Sequence, residues 1–82
     1  MKVKVKMSAA PQEVPVTGEF IKLDSFLKLV SAVSTGGEAK LRISGGEITV
    51  NGEECLMRGK KLHNGDIVRM GQHRWLVKTE EE

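Results

Sequence analysis

The chain has 82 residues, a formal net charge of +2 and 39% hydrophobic content, with one Trp, two Phe and no Tyr. That describes one small domain, folded around a modest core, with no room for a catalytic domain beside a binding domain. No apolar run approaches the ~20 residues of a membrane helix, so no membrane partner is expected. The single cysteine, Cys55, excludes an internal disulfide and fits a reducing, cytoplasmic setting.

The basic start, Lys2-Val3-Lys4-Val5-Lys6, is followed by no apolar stretch, so a secretory signal is not expected. Lys2 to Met7 alternates charged and apolar residues, and Pro11 and Pro15 oppose a helix. Residues 1–18 therefore read as an extended lead-in arm, residues 19–78 as the folded domain and residues 79–82 as an acidic tail. Without Glu80-Glu81-Glu82 the excess of cations rises to about five.

A first helix is expected over 23–34, where Leu23, Phe26, Leu27, Val30 and Val33 fall on one face. Asp24 is its expected N-cap, with Lys28 and Ser31 in solvent. Thr35-Gly36-Gly37-Glu38 has the form of a capping box, so a second helix should run from about residue 36 to 44. Gly45-Gly46 ends it, because glycine enters the left-handed region at little cost. Glu47 to Val50 alternates, and Asn51-Gly52 signals a two-residue hairpin turn. That turn sets Ile48 opposite Cys55, with Val50 and Met57 on the same inward face. A turn at Asn64-Gly65-Asp66 leads into Ile67-Val68-Arg69, and Gly71-Gln72 leads into Trp75-Leu76-Val77.

In this order and spacing the motifs resemble the S-four RNA-binding domain, named for ribosomal protein S-four and also called the alpha-L motif. The resemblance covers roughly residues 20–70. Lys22-Leu23-Asp24 with Leu27 resembles the basic-Leu-Asp start of the family's first helix, and Thr35 with Glu38-Ala39-Lys40 the start of its second. Gly46, Ile48, Val50, Asn51 and Gly52 resemble its Gly-x-Val-x-Val-Asn-Gly signature, and Gly65-Asp66-Ile67 its Gly-Asp-Ile/Val close. The segment Arg58-Gly59-Lys60-Lys61-Leu62 is similar to that of the small free-standing bacterial members. Two positions depart: Gly36 stands where the family has an arginine, and Arg42 where it has an apolar residue. Lys40 and Arg42 are left as substitutes for that arginine.

The resemblance implies an α+β fold, with two short N-terminal helices packed on a small antiparallel sheet. It also implies a basic surface that binds structured RNA, ribosomal or transfer RNA, in a ribosome-associated role in translation. The residues it assigns are Lys22, Lys28, Lys40, Arg42, Arg58, Lys60 and Lys61. Charge alone favours solvated lysines here. The family pattern is what moves Lys40, Arg58, Lys60 and Lys61 ahead of Lys22 and Lys28, and Arg42 is the least supported of the set.

Other chemistries find less in the sequence. Gly36-Gly37 lacks the rest of a nucleotide loop, and a tight inter-helix turn explains it. Cys55, His63 and His73 match no zinc spacing; Cys55 reads as a core residue and His63 as a loop histidine beside Lys60-Lys61. Trp75 reads as core, and the scarcity of aromatics disfavours single-strand recognition by rows of stacked bases. No nucleophile, base and acid come together, so no enzyme, cofactor, metal or small-molecule substrate is expected. A monomer is expected. A ubiquitin-like sulfur carrier shares the Val-Asn-Gly-Glu and Gly-Asp-x-Val turns, but this chain ends in glutamates where a Gly-Gly carboxylate is required. A protein-interaction adaptor, ribosome-associated without touching RNA and using the arm or the tail, is the alternative.

Overall fold

A computed structural model describes residues 10–80; Lys2 to Met7 and Glu81-Glu82 lie outside the described residues. In chain order the elements are β1 (Gln12–Thr17), β2 (Ile21–Lys22), α1 (Leu23–Leu29), α2 (Gly36–Ser44), β3 (Ile48–Val50), β4 (Glu53–Glu54), β5 (Lys61–Leu62), β6 (Ile67–Met70) and β7 (His73–Glu80). The fold is α+β, as expected, but two strands precede the helices and the sheet is mixed. Five strands lie in the order β1-β7-β6-β3-β4, with β1 parallel to β7 and the other pairs antiparallel. A separate two-stranded ribbon joins β2 to β5.

Within the described residues the expected lead-in arm is extended, in keeping with its prolines, and from Gln12 to Thr17 it is part of the sheet. Val14 and Val16 face the core, while Pro15 occupies the edge position where a missing N–H costs nothing. The expected acidic tail likewise starts inside β7: Thr79 pairs with Val16 and Glu80 with Thr17.

The first helix stops five residues short of expectation. Ser31 takes φ +62°, its N–H donates to the Lys28 carbonyl, and the Ala32 N–H donates to the Leu27 carbonyl. This is a Schellman ending with serine in the place usually held by glycine. The turn carries Val33 back into the core, so its burial survives the loss of helix. The N-cap is Lys22, not Asp24; the Asp24 carboxylate lies in the first turn and accepts from the Ser25 N–H at 2.7 Å.

The second helix starts and ends where its signals place it. The Thr35 hydroxyl oxygen accepts from the Glu38 N–H at 3.1 Å. The Glu38 carboxylate reaches back past the cap to the Ser34 N–H at 2.9 Å. Gly46, at φ +79°, closes the helix, with the Gly46 N–H donating to Ile43 and the Glu47 N–H to Arg42.

The core forms between the helices and one face of the sheet. Leu23, Phe26 and Leu27 of α1 and Ala39 and Ile43 of α2 meet Ile48, Val50, Val68, Trp75 and Val77. Trp75 is buried, as expected, its ring edge-on to Phe26 with centroids 6.2 Å apart. Cys55 follows the expected register, its N–H donating to the Ile48 carbonyl at 3.0 Å, but it is half-buried at the margin of the core. Met57 is 67% exposed, contrary to expectation. The β3–β4 ladder ends after Glu54, and the chain then turns away towards α1, so the alternation that would have carried Met57 inward is broken.

Candidate nucleic-acid interface

The basic residues of the ribbon and its loop are assembled by the backbone. Ile21 pairs with Leu62, which is fully buried, and Lys22 pairs with Lys61. Because side chains alternate across a strand, the pair beneath faces the core and the two lysines face outward together. The Leu23 N–H donates to the Lys60 carbonyl at 2.9 Å, and the Asp24 N–H to the Arg58 carbonyl at 3.1 Å. These bonds supply partners for donors at the start of α1 that the helix itself leaves unsatisfied. They also fix the 58–61 loop against the helix start, so Lys22, Arg58, Lys60 and Lys61 belong to one ordered surface.

All four residues are exposed, and among the described residues none of them lies within salt-bridge distance of a carboxylate. Like charges directly opposite on paired strands repel, and the Lys22–Lys61 pair is of that kind. An anion placed over it would relieve the repulsion.

The two motifs that carry the resemblance, around Asn51 and Asp66, prove to be one hydrogen-bonded knot. The Asn51 side-chain amide donates to Asp66 Oδ1 at 3.1 Å, and its carbonyl oxygen accepts from the Ile67 N–H at 2.9 Å. The Asn51 N–H donates to the Ile67 carbonyl at 2.7 Å. The other Asp66 oxygen accepts from the His63 N–H at 2.8 Å. His63 directly follows β5, so the knot anchors the strand that carries Lys61.

The remaining assigned residues stand differently. Lys28 and Lys40 are exposed on α1 and α2, and no hydrogen bond or strand pairing ties them to the loop. Arg42 is engaged: its guanidinium meets Glu47 at 3.0 Å and Glu38 at 3.6 Å. The Glu47 hydrogen bond and charge, with a smaller contribution from Glu38, raise its pKa further above the ordinary arginine value. Arg42 therefore braces the end of α2 and offers little unspent charge. Gly36 and Gly37 begin α2 as a tight turn capped by Thr35. No group of three or more His, Cys, Asp or Glu with metal-binding geometry occurs among the described residues.

Sequence reasoning passed over two features. Phe20 is 39% exposed beside the ribbon, with Lys61 Nζ 4.8 Å from its ring centroid. The alternation Phe20-Ile21-Lys22 is the signal that places it on the lysine face. On the sheet face turned away from the helices, Arg69 pairs with Arg74 across β6 and β7 and with Thr49 across β3.

A model of the S4 domain family matches residues 14–78. The chain belongs to the S4 domain family. S4 domains in general bind RNA, and the match takes in β1 to β7, including the strand expected to be only a lead-in. Over 57 residues this S4 domain is 40% identical to "Probable ribosome maturation protein RlbA" of Bacillus subtilis (strain 168), an alignment covering 70% of this chain and 80% of that relative. No helix among the described residues is long and apolar enough to cross a membrane.

Proposed function

We propose that this S4 domain acts without catalysis, as a cytoplasmic monomer that binds structured RNA, ribosomal or transfer RNA, in a role connected with the ribosome. Lys22, Arg58, Lys60 and Lys61 form the contact surface, with Lys28 and Lys40 on the adjoining helices extending it. The observation that carries this reading is the pinning of the 58–61 loop to the start of α1, which orders four cations with no carboxylate in salt-bridge reach among the described residues. The name of the Bacillus relative supports the ribosomal setting.

The chemistry is that of a phosphate-binding surface. Ammonium and guanidinium groups displace condensed counter-ions from the RNA backbone, and binding weakens as salt rises. A-form grooves show side chains little sequence, so the surface recognises charge and shape. Pre-ordering of the loop lowers the entropy lost on binding.

The test is affinity for a hairpin RNA measured across a range of salt concentrations. With about four phosphates neutralised, log K against log salt should slope by roughly −3 to −4. A flat response removes the electrostatic reading. Failure to bind any structured RNA at low salt removes the function.

A further inference from the structure

The β2–β5 ribbon carries an outward pattern that a purely cationic surface does not need. With Ile21 and Leu62 packed against the core, Phe20 and Lys22 share the outer face of one strand and Lys61 and His63 that of the other. The register, continued by one residue, sets Phe20 opposite His63, and their rings lie 6.1 Å apart at 48°. The outer face is therefore a row of two rings beside a row of two lysines, separated by a two-residue step of about 7 Å along the strand. Lys61 links the rows, its ammonium 4.8 Å from the Phe20 centroid.

Phe20 is 39% exposed, whereas Phe26 and Trp75 already fill the aromatic positions of the core. We propose that Phe20, flanked by His63, is the stacking position for one unpaired base of the bound RNA, whose phosphate is held by Lys22 and Lys61. This rests on the RNA-binding reading above and narrows its ligand to a duplex carrying an unpaired nucleotide, as in a bulge or junction. Splayed-out bases are taken up by stacking on aromatic side chains, and every base has a face to offer. An exposed ammonium–ring contact is weak, so Lys61 exchanges the ring for the arriving phosphate and uncovers the face of Phe20. Among the described residues Phe20 is the one exposed phenyl ring, which gives one such position and agrees with the scarcity of aromatics in the chain.

The experiment compares two hairpin RNAs that differ only by a single bulged 2-aminopurine, both measured against the whole chain at one low salt concentration. The bulged hairpin should bind on the order of 10-fold more tightly, and the 2-aminopurine emission should fall on binding as the base stacks. Phe20→Leu, which keeps apolar bulk, should erase the preference while leaving the affinity and salt slope of the plain hairpin unchanged. Equal binding of both hairpins by the wild-type chain overturns the stacking site and leaves the RNA-binding reading intact, and this comparison needs no variant. A preference that survives in folded Phe20→Leu also overturns it. Failure of both hairpins to bind overturns the RNA-binding reading and the stacking site together.

Discussion

Replacing Asn51 separates backbone strain from hydrogen bonding at the knot that anchors β5. Asn51 sits at φ +55° and makes two side-chain bonds, to Asp66 and to the Ile67 N–H. Both are solvent-accessible, so together they contribute about 1–2 kcal/mol, even with a carboxylate as one partner. A left-handed conformation costs an ordinary residue about 1–2 kcal/mol, which asparagine tolerates and alanine does not. Asn51→Ala should therefore destabilise the domain by about 2–4 kcal/mol, a fall in Tm of roughly 10–30 °C at this size. Asn51→Gly loses the same bonds but not the conformational fit. Its unfolded state is more flexible, which gives back part of the gain, so it should melt above Asn51→Ala by the equivalent of about 0.5–1 kcal/mol. Thermal unfolding of the three proteins, followed by circular dichroism, reads both terms. If Asn51→Gly melts with the wild type, the knot holds nothing; if alanine equals or exceeds glycine, the left-handed argument is wrong.

Two further substitutions test placements that differ from the sequence expectation. Cys55→Ser should cost less than about 1 kcal/mol, because the site is half-buried and the Met57 carbonyl, 3.6 Å from Sγ, can accept from the new hydroxyl. A loss of 2 kcal/mol or more by chemical denaturation would return Cys55 to the core. Arg42→Gln should weaken RNA binding less than Lys60→Gln, since Glu38 and Glu47 already offset the Arg42 charge. The reverse order of affinities would put Arg42 back in the binding surface.

What the sequence made legible was set by local chemistry. Thr35 and Glu38 start α2, Gly46 ends it, and Asn51-Gly52 sets the register that brings Cys55 opposite Ile48. The end of α1 was hidden because Ser31, not a glycine, takes the left-handed turn. The place of β1 was hidden because its partner, β7, lies some sixty residues along the chain, and no local pattern specifies a parallel pairing. The ribbon has two residues per strand, too few for periodicity to show. The cations could be named one by one, but not their grouping, which comes from backbone bonds between residues 23–24 and 58–60. Arg42 looked free because Glu47 reaches it only after the chain has turned at Gly45-Gly46.

The central claim is that RNA is bound by an ordered set of cations and not by positive charge in general. The chain supplies its own control, since Lys2, Lys4 and Lys6 carry as many charges as Arg58, Lys60 and Lys61. Two double variants, Lys60→Gln with Lys61→Gln and Lys4→Gln with Lys6→Gln, remove equal charge from the loop and from the N-terminal segment. The loop variant should melt close to wild type, because exposed substitutions seldom shift stability by more than about 0.5 kcal/mol, and the affinities are compared between variants whose melting matches that of the wild type. Pre-ordered charges lose less entropy on binding, so at one fixed salt concentration the loop variant should bind structured RNA more weakly than the N-terminal variant. If the N-terminal variant loses as much affinity, or more, the chain binds as a generic polycation and the assigned surface is wrong.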